Sequence, residues 1–202
     1  MNELATLHHN EIKQRLLQPL ETTYDVPRNN TQPLKKAAVL VPFVQHNGEW
    51  HLLYIQRSVH EKDRHSGQVA FAGGKYEEGD DSLTCTALRE AHEEIGINPE
   101  HVMVLGELNK HHSISHFQIT PVVATLPWPY QLTLQHTEVA ATFTIPLRWL
   151  ADPANHTTKP RNFNGKEVPV VYFKKYNNYL LWGATARMTL SLLDRLQTPA
   201  LS

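Results

Sequence analysis

Cysteine is almost missing from this chain: Cys85 stands alone among 202 residues. A single thiol cannot close an intramolecular disulfide, so the fold must be held by packing, and the usage fits a reducing compartment. Long apolar runs are missing as well. No segment approaches the roughly 18 apolar residues of a membrane span. The opening stretch MNELATLHHNEIKQRLLQPL holds no apolar run of signal-peptide length. A charge excess of either sign is also absent. The formal net charge is −1, so no global field draws the protein to nucleic acid or to an anionic membrane. A polyanionic ligand must then be held by local charges or by a bound cation. These absences lead to the expectation of a cytoplasmic protein with no nucleic-acid or membrane partner. What is present is ordinary for a soluble fold, with 41% hydrophobic and 19% charged residues, on a length that supports one domain with its own core.

The pattern along the chain predicts an N-terminal helix over 2–17, stopped by Pro19, and an extended linker from Tyr24 to Pro33. KKAAVLVPFV and WHLLYIQ read as strands joined at Asn47-Gly48, a strong hairpin signal. QVAFAGG reads as a short strand entering a glycine turn. A helix follows from Ser82 to Ile95, with Asp80, Asp81 or Ser82 as its cap and Gly96 as its terminator. VMVLGEL, QITPVVATL and VAATFTIPL are further strands, and WPYQL is a turn. A loop is expected over His111–His116 and another over Lys159–Gly165. VPVVYF and NYLLW are expected to form a hairpin, and Ala184–Leu196 a closing amphipathic helix. Strands interrupted by two main helices imply a single α/β domain with a sheet between helices. The expected organisation is an N-terminal helix and linker over 1–33, then the main domain over 34–198.

The Ser82–Ile95 helix carries the chemistry. At roughly 100° per residue, with Leu83 at zero, Ala87, Ala91, Ile95 and Leu88 fall between about 40° and 140°, which is the buried stripe. Glu90, Glu93 and Glu94 share an arc of about 100°, and Glu94, at about 20°, lies within the apolar side. An unpaired carboxylate there is costly, and Glu90 and Glu94 repel at i, i+4. A hard divalent cation offsets both costs, which suggests magnesium or manganese and hence a phosphate-bearing ligand. Arg89 is spaced to orient Glu93 by an i, i+4 pair. Cys85 lies opposite the stripe with no partner for nucleophilic chemistry. His111, His112 and His116 lack a second ligand group at zinc spacing and read as solvated loop residues. Trp182, with Leu180 and Leu181, and Phe71 read as core.

Arg89-Glu90-Ala91-His92-Glu93-Glu94-Ile95-Gly96-Ile97, preceded by Gly74, resembles the Nudix box, G-x5-E-x7-R-E-U-x-E-E-x-G-U, where U is a bulky aliphatic residue. LYIQRSVHEKDRHSGQVAFAGG resembles the motif that precedes the box in the coenzyme A pyrophosphatase branch, with Arg57, Ser58, Gly67, Phe71, Gly73 and Gly74 matching. AAVLVPF, ITPVV, TEVAATFTIPL and LLWGATARM are similar to that branch too, so the likeness spans about 36–196. The chain departs from the pattern in places. Ala72 stands where the branch has proline, and Ile55 and Tyr54 where it has threonine and leucine. One extra residue between Ser58 and Gly67 lets the branch arginine correspond to Lys62 or Arg64. The spacing from Gly74 to Arg89 is one residue longer than the pattern, and counting back from Arg89 puts the first box acid at Asp81.

The resemblance implies a Nudix-like α/β/α sandwich with a mixed central sheet, and a pyrophosphatase that uses Mg2+ or Mn2+ held by Glu90, Glu93 and Glu94. It implies catalytic roles for Arg89, Glu90, Glu93 and Glu138, with the general base open among Glu90, Glu93 and Glu138. Gly73 and Gly74 permit close approach to a ligand, and Arg57 with Lys62 or Arg64 would bind the extra phosphate of coenzyme A. The expected reaction is cleavage of coenzyme A or acyl-coenzyme A to 3′,5′-ADP and 4′-phosphopantetheine or its acyl derivative. The alternatives are another nucleoside diphosphate derivative (ADP-ribose, a dinucleotide or a damaged nucleotide) and a non-catalytic nucleotide-sensing module. The partner implied is a small coenzyme A-like pyrophosphate, and a homodimer is left open.

Overall fold

The computed structural model describes residues 4, 7–17, 33–59, 66–113, 115–163 and 165–197. Residues 24–32 of the expected linker and the candidate residues Lys62 and Arg64 lie outside these. Asn47 and Gly48 both adopt positive φ, at 52° and 78°, the backbone that a two-residue hairpin turn needs. They join β1 (Lys35–His46) to β2 (Glu49–Arg57), antiparallel from Phe43↔Leu52 to His46↔Glu49. β3 is Val69–Ala70 and β4 is Gly73–Lys75. The central helix α2 spans Leu83–Ile95, with Ser82 as N-cap accepting from Cys85 N and Gly96 closing it at φ 72°. β5 (Met103–Glu107), β6 (His111–His112), β7 (Phe117–Thr125) and β8 (Val139–Pro146) follow.

These eight strands form one sheet whose backbone order is β3-β2-β1-β7-β5; β4 adds to β1, β6 to β7 and β8 to β2. The sheet is mixed: β1 runs parallel to β7 and antiparallel to β2 and β4. Side chains alternate across it, which divides the core in two. One cluster places Ala38, Leu40, Leu53 and Ile55 against Ala87, Ala91 and Ile95 of α2. On the other face, Val41, Phe43, Leu52 and Tyr54 meet α1 (His9–Leu16), the short α3 (Leu147–Leu150) and α4 (Gly183–Gln197). Helices on both faces of a mixed sheet make the expected α/β/α sandwich.

α1 belongs to this second cluster through Ile12 and Leu16, and Leu4 and Leu7 are buried with it. Trp50 Nε1 donates to Leu7 O at 2.7 Å. α1 and α4 also exchange arginines. Arg195 Nη1 donates to Leu16 O at 2.7 Å, and Arg15 Nη1 donates to Leu196 O. Each guanidinium thereby satisfies a carbonyl left open at the end of the other helix.

Four local expectations are corrected. Lys159–Gly165 is not a loop throughout: β9 (His156–Phe163) pairs antiparallel with β10 (Lys166–Phe173) in a separate two-stranded sheet. β10 therefore takes its ladder from β9, and the NYLLW segment meets it through a bridge at Tyr172↔Trp182 and the bond from Phe173 N to Leu181 O, while Tyr179 turns back on Tyr176. β9 was hidden because its side chains are nearly all polar and exposed. His111 and His112 are likewise strand residues, paired with Ile119 and Gln118. His111 is only 3% exposed, with neither ring nitrogen hydrogen-bonded, and burial pushes its pKa down to about 4. Finally, of Leu180, Leu181 and Trp182, only Leu181 is core. Leu180 is exposed, and the half-buried Trp182 stacks on Tyr172 beneath the Arg161 guanidinium.

Candidate active site

α2 lies across the sheet so that its second half faces β4. Gly74 meets Glu90 there: a Cβ at position 74 would lie 2.5 Å from Glu90 Cδ. Gly73 is closed in by β1, since a Cβ would lie 2.5 Å from Val39 Cα. Its amide donates to Glu94 Oε2 at 3.0 Å. The two glycines thus let a strand backbone approach two carboxylates closely. Phe71, just before them, is buried in the core cluster of the opposite face and stacks on Tyr54 at 4.7 Å between ring centroids.

Glu94 is 3% exposed. Burial pushes its pKa up to about 7, and the charges of Glu90 and Glu138 add to that, against the Gly73 amide and the Arg57 guanidinium. Burial also raises Glu90, against the pull of Arg89, with Glu93 and Glu138 adding their repulsion. Glu93 is exposed. Glu90, Arg57 and Glu138 thus lie within electrostatic reach of Glu94. Arg57 arrives from the end of β2 and Glu138 from the foot of β8, which pair at Arg57↔Val139.

Arg89 is the hub of the acidic face. Its Nε and Nη2 engage Asp80 Oδ1 and Oδ2, both at 3.0 Å. Nη1 donates to Glu90 Oε1 and Glu93 Oε2, both at 3.1 Å, and Nη2 also reaches Lys75 O at 3.0 Å. The i, i+4 pair with Glu93 expected from the sequence is present. The partner that fixes the guanidinium is Asp80, which also accepts from Thr86 Oγ1 at 2.8 Å and Glu77 N at 3.0 Å. These bonds hold the Asp80 carboxyl well below the usual carboxylate range, Arg89 first among them. Asp81, reached by counting back from Arg89, is exposed. Counting forward from Gly74 would have found Asp80, because the extra residue lies between this acid and the helix rather than before it. Cys85 is half-buried at the helix start, where Sγ accepts from Ser82 Oγ at 3.2 Å.

The donor set fits a hard divalent cation in kind: three carboxylates on one helix face, of which the buried Glu94 and the half-buried Glu90 repel each other. Among the described residues no three His, Cys, Asp or Glu side chains converge tightly enough to enclose an ion. Glu90 and Glu93 each lean one oxygen on Arg89 and Glu94 leans one on Gly73, leaving the second oxygen of each outside these bonds. No helix among the described residues is long and apolar enough to cross a membrane.

The NUDIX domain family matches residues 34–165. The chain is 36% identical over 183 residues to "Uncharacterized Nudix hydrolase NudL" of Salmonella newport (strain SL254), covering 91% of each chain. It is 38% identical over 152 residues to the protein of the same description from Enterobacter sp. (strain 638), covering 75% of this chain and 78% of that one. Among solved structures, the fold is similar to a MutT/nudix family protein from Enterococcus faecalis, with a TM-score of 0.54 at 16% identity over 85% of this chain and 64% of that one. It is also similar to a MutT protein from Methanosarcina mazei Go1, at 0.51 and 20% over 83% and 97%. With the acidic helix behind a glycine turn and relatives matched over nearly their whole length, the chain belongs to the Nudix hydrolase family.

Proposed function

We propose that this hydrolase cleaves the pyrophosphate of coenzyme A or acyl-coenzyme A, giving 3′,5′-ADP and 4′-phosphopantetheine or its acyl form, in the cytoplasm. The observation that carries the reading is the junction of two motifs. Arg57, from the stretch resembling the coenzyme A branch, reaches electrostatically to Glu94 of the box. A cation beside the metal-holding face suits a substrate with more phosphate than the scissile pair. ADP-ribose, dinucleotides and damaged nucleotides remain the competing substrates, because Ala72 and the altered 58–67 spacing depart from the branch pattern.

Glu90, Glu93 and Glu94 would hold Mg2+ or Mn2+. Such an ion neutralises phosphate charge and polarises the phosphorus toward attack by water. Asp80 and Arg89 orient Glu90 and Glu93. Arg57, with Lys62 or Arg64, binds the outer phosphate. Gly73 and Gly74 keep the strand backbone close to the carboxylates. Glu138 takes the proton as water oxygen bonds to phosphorus and the bridging P–O bond breaks. It is favoured over Glu90 and Glu93 because each of those already has an oxygen accepting from Arg89 and would give its other oxygen to the metal.

Incubation of the protein with magnesium and coenzyme A, ADP-ribose or dinucleotides, followed by mass analysis of the products, tests the reading. The expected result is 3′,5′-ADP from coenzyme A at the highest kcat/KM. Cleavage of another substrate with coenzyme A left intact overturns the substrate. Tight binding without hydrolysis of any pyrophosphate favours the sensing module.

A further inference from the structure

Ser58 is matched in the branch-like motif but has no part in the chemistry above. It is nearly buried, 8% exposed, directly after Arg57. Its backbone amide donates to Glu138 O at 2.8 Å, and its hydroxyl donates to His136 O at 2.8 Å. It therefore holds the exposed end of the 131–138 segment at two points two residues apart. The other end of that segment is tied to α2: Thr133 N donates to Ile95 O at 3.1 Å and Gln135 N to Glu94 O at 2.8 Å. These are last-turn carbonyls with no partner inside the helix. At Gly96 a Cβ would lie 2.9 Å from Thr133 Cβ, so the segment sits directly on the helix terminus.

We propose that Ser58 is a positioning residue that clamps the 131–138 strap so that Glu138 faces the carboxylates of α2. Two adjacent residues at the end of β2 thus have separate tasks: Arg57 supplies charge toward Glu94, and Ser58 fixes where the Glu138 backbone lies. The strap has no regular secondary structure: Leu132 and Leu134 pack it against the α2 side of the core, Gln135 O accepts from Glu138 N and Val139 N within it, and its outer residues 135–138 are exposed, so the Ser58 bonds are what ties that outer turn to β2. Loss of the hydroxyl leaves the amide bond to Glu138 in place and frees His136 O, which loosens the strap without unfolding the sheet. This inference rests on the proposed catalytic role of Glu138.

Four variants test it: Ser58→Ala, Ser58→Thr, Glu138→Gln and the Ser58→Ala/Glu138→Gln double. The substrate is coenzyme A, or ADP-ribose if only that is cleaved. Ser58→Ala is expected to lower kcat about tenfold, as misplacement of a reacting group does, with KM changed less than about twofold. Ser58→Thr is expected to restore most of the loss. In the Glu138→Gln background, Ser58→Ala should cost nothing further. Backbone amide exchange of the metal-free protein supplies a readout independent of activity: residues 133–138 should exchange faster in Ser58→Ala while α2 stays protected. Full additivity of the two losses, unchanged exchange in the strap, or an unchanged kcat for Ser58→Ala beside an impaired Glu138→Gln overturns the role of Ser58. An unimpaired Glu138→Gln overturns the Glu138 assignment, and the Ser58 proposal with it.

Discussion

Glu94 carries the largest electrostatic cost on the helix. Its carboxyl titrates near 7 in the fold, against an ordinary value of 4.5. Between those values the native state binds more protons than the unfolded chain, so this group makes stability fall as pH rises through that window. Above pH 7 the full cost, at most about 3 kcal/mol, is present. Glu94→Gln is therefore expected to raise the Tm of metal-free protein at pH 8 and to change it little at pH 4.5, as calorimetry at the two pH values would show. The same substitution should abolish most hydrolysis, since a neutral amide is a poor partner for a hard cation; unaffected hydrolysis would remove Glu94 from the metal-holding set. Asp80 is the second residue where a single atom position matters. Asp80→Ala should reduce kcat/KM about ten- to a hundredfold, the usual cost of losing a group that orients a metal-holding side chain. Asp81→Ala should leave it unchanged. The sequence pattern alone favoured Asp81 because a spacing rule counts residues along the chain, whereas the bidentate geometry of Arg89 selects whichever acid the turn over Glu77–Asp80 brings within 3.0 Å.

At the scale of elements, α2 was legible from end to end because cap, apolar stripe and terminator all agree locally. Ser82 caps it, Ala87, Ala91 and Ile95 are buried, and Gly96 takes the left-handed turn. The β1–β2 hairpin was equally clear from Asn47-Gly48. β9 and β6 were not, since both are polar strands specified by the neighbour they pair with and not by their own periodicity. Likewise, nothing in the composition of 131–138 shows that it straps the end of α2. Substitution at the junction tests that arrangement. Gly96→Ala combines a Cβ at positive φ with a clash against Thr133, so a loss of about 1–3 kcal/mol is expected in chemical denaturation. Gly79→Ala, with nothing within 4 Å of the added atom, should be neutral or slightly stabilising because it narrows the unfolded ensemble.

For the molecule as a whole, the matched family region stops short of both α1 and α4, yet these helices cover the sheet face opposite the acidic site. Ile12 is fully buried there. Ile12→Ala should cost about 2–5 kcal/mol, measured by denaturant unfolding, while kcat of the folded fraction stays at the wild-type value, because the glutamates lie across the sheet. The reciprocal arginine bonds between α1 and α4 also impose an order in time. Ribosomal synthesis delivers α1 before α4, so Leu16 O must wait for Arg195, and Leu7 and Ile12 go without the helix that will cover them while the whole intervening sheet is made. A growing chain of this protein therefore offers the apolar side of α1 to chaperones and to its own neighbours, and it leaves that state only when α4 emerges.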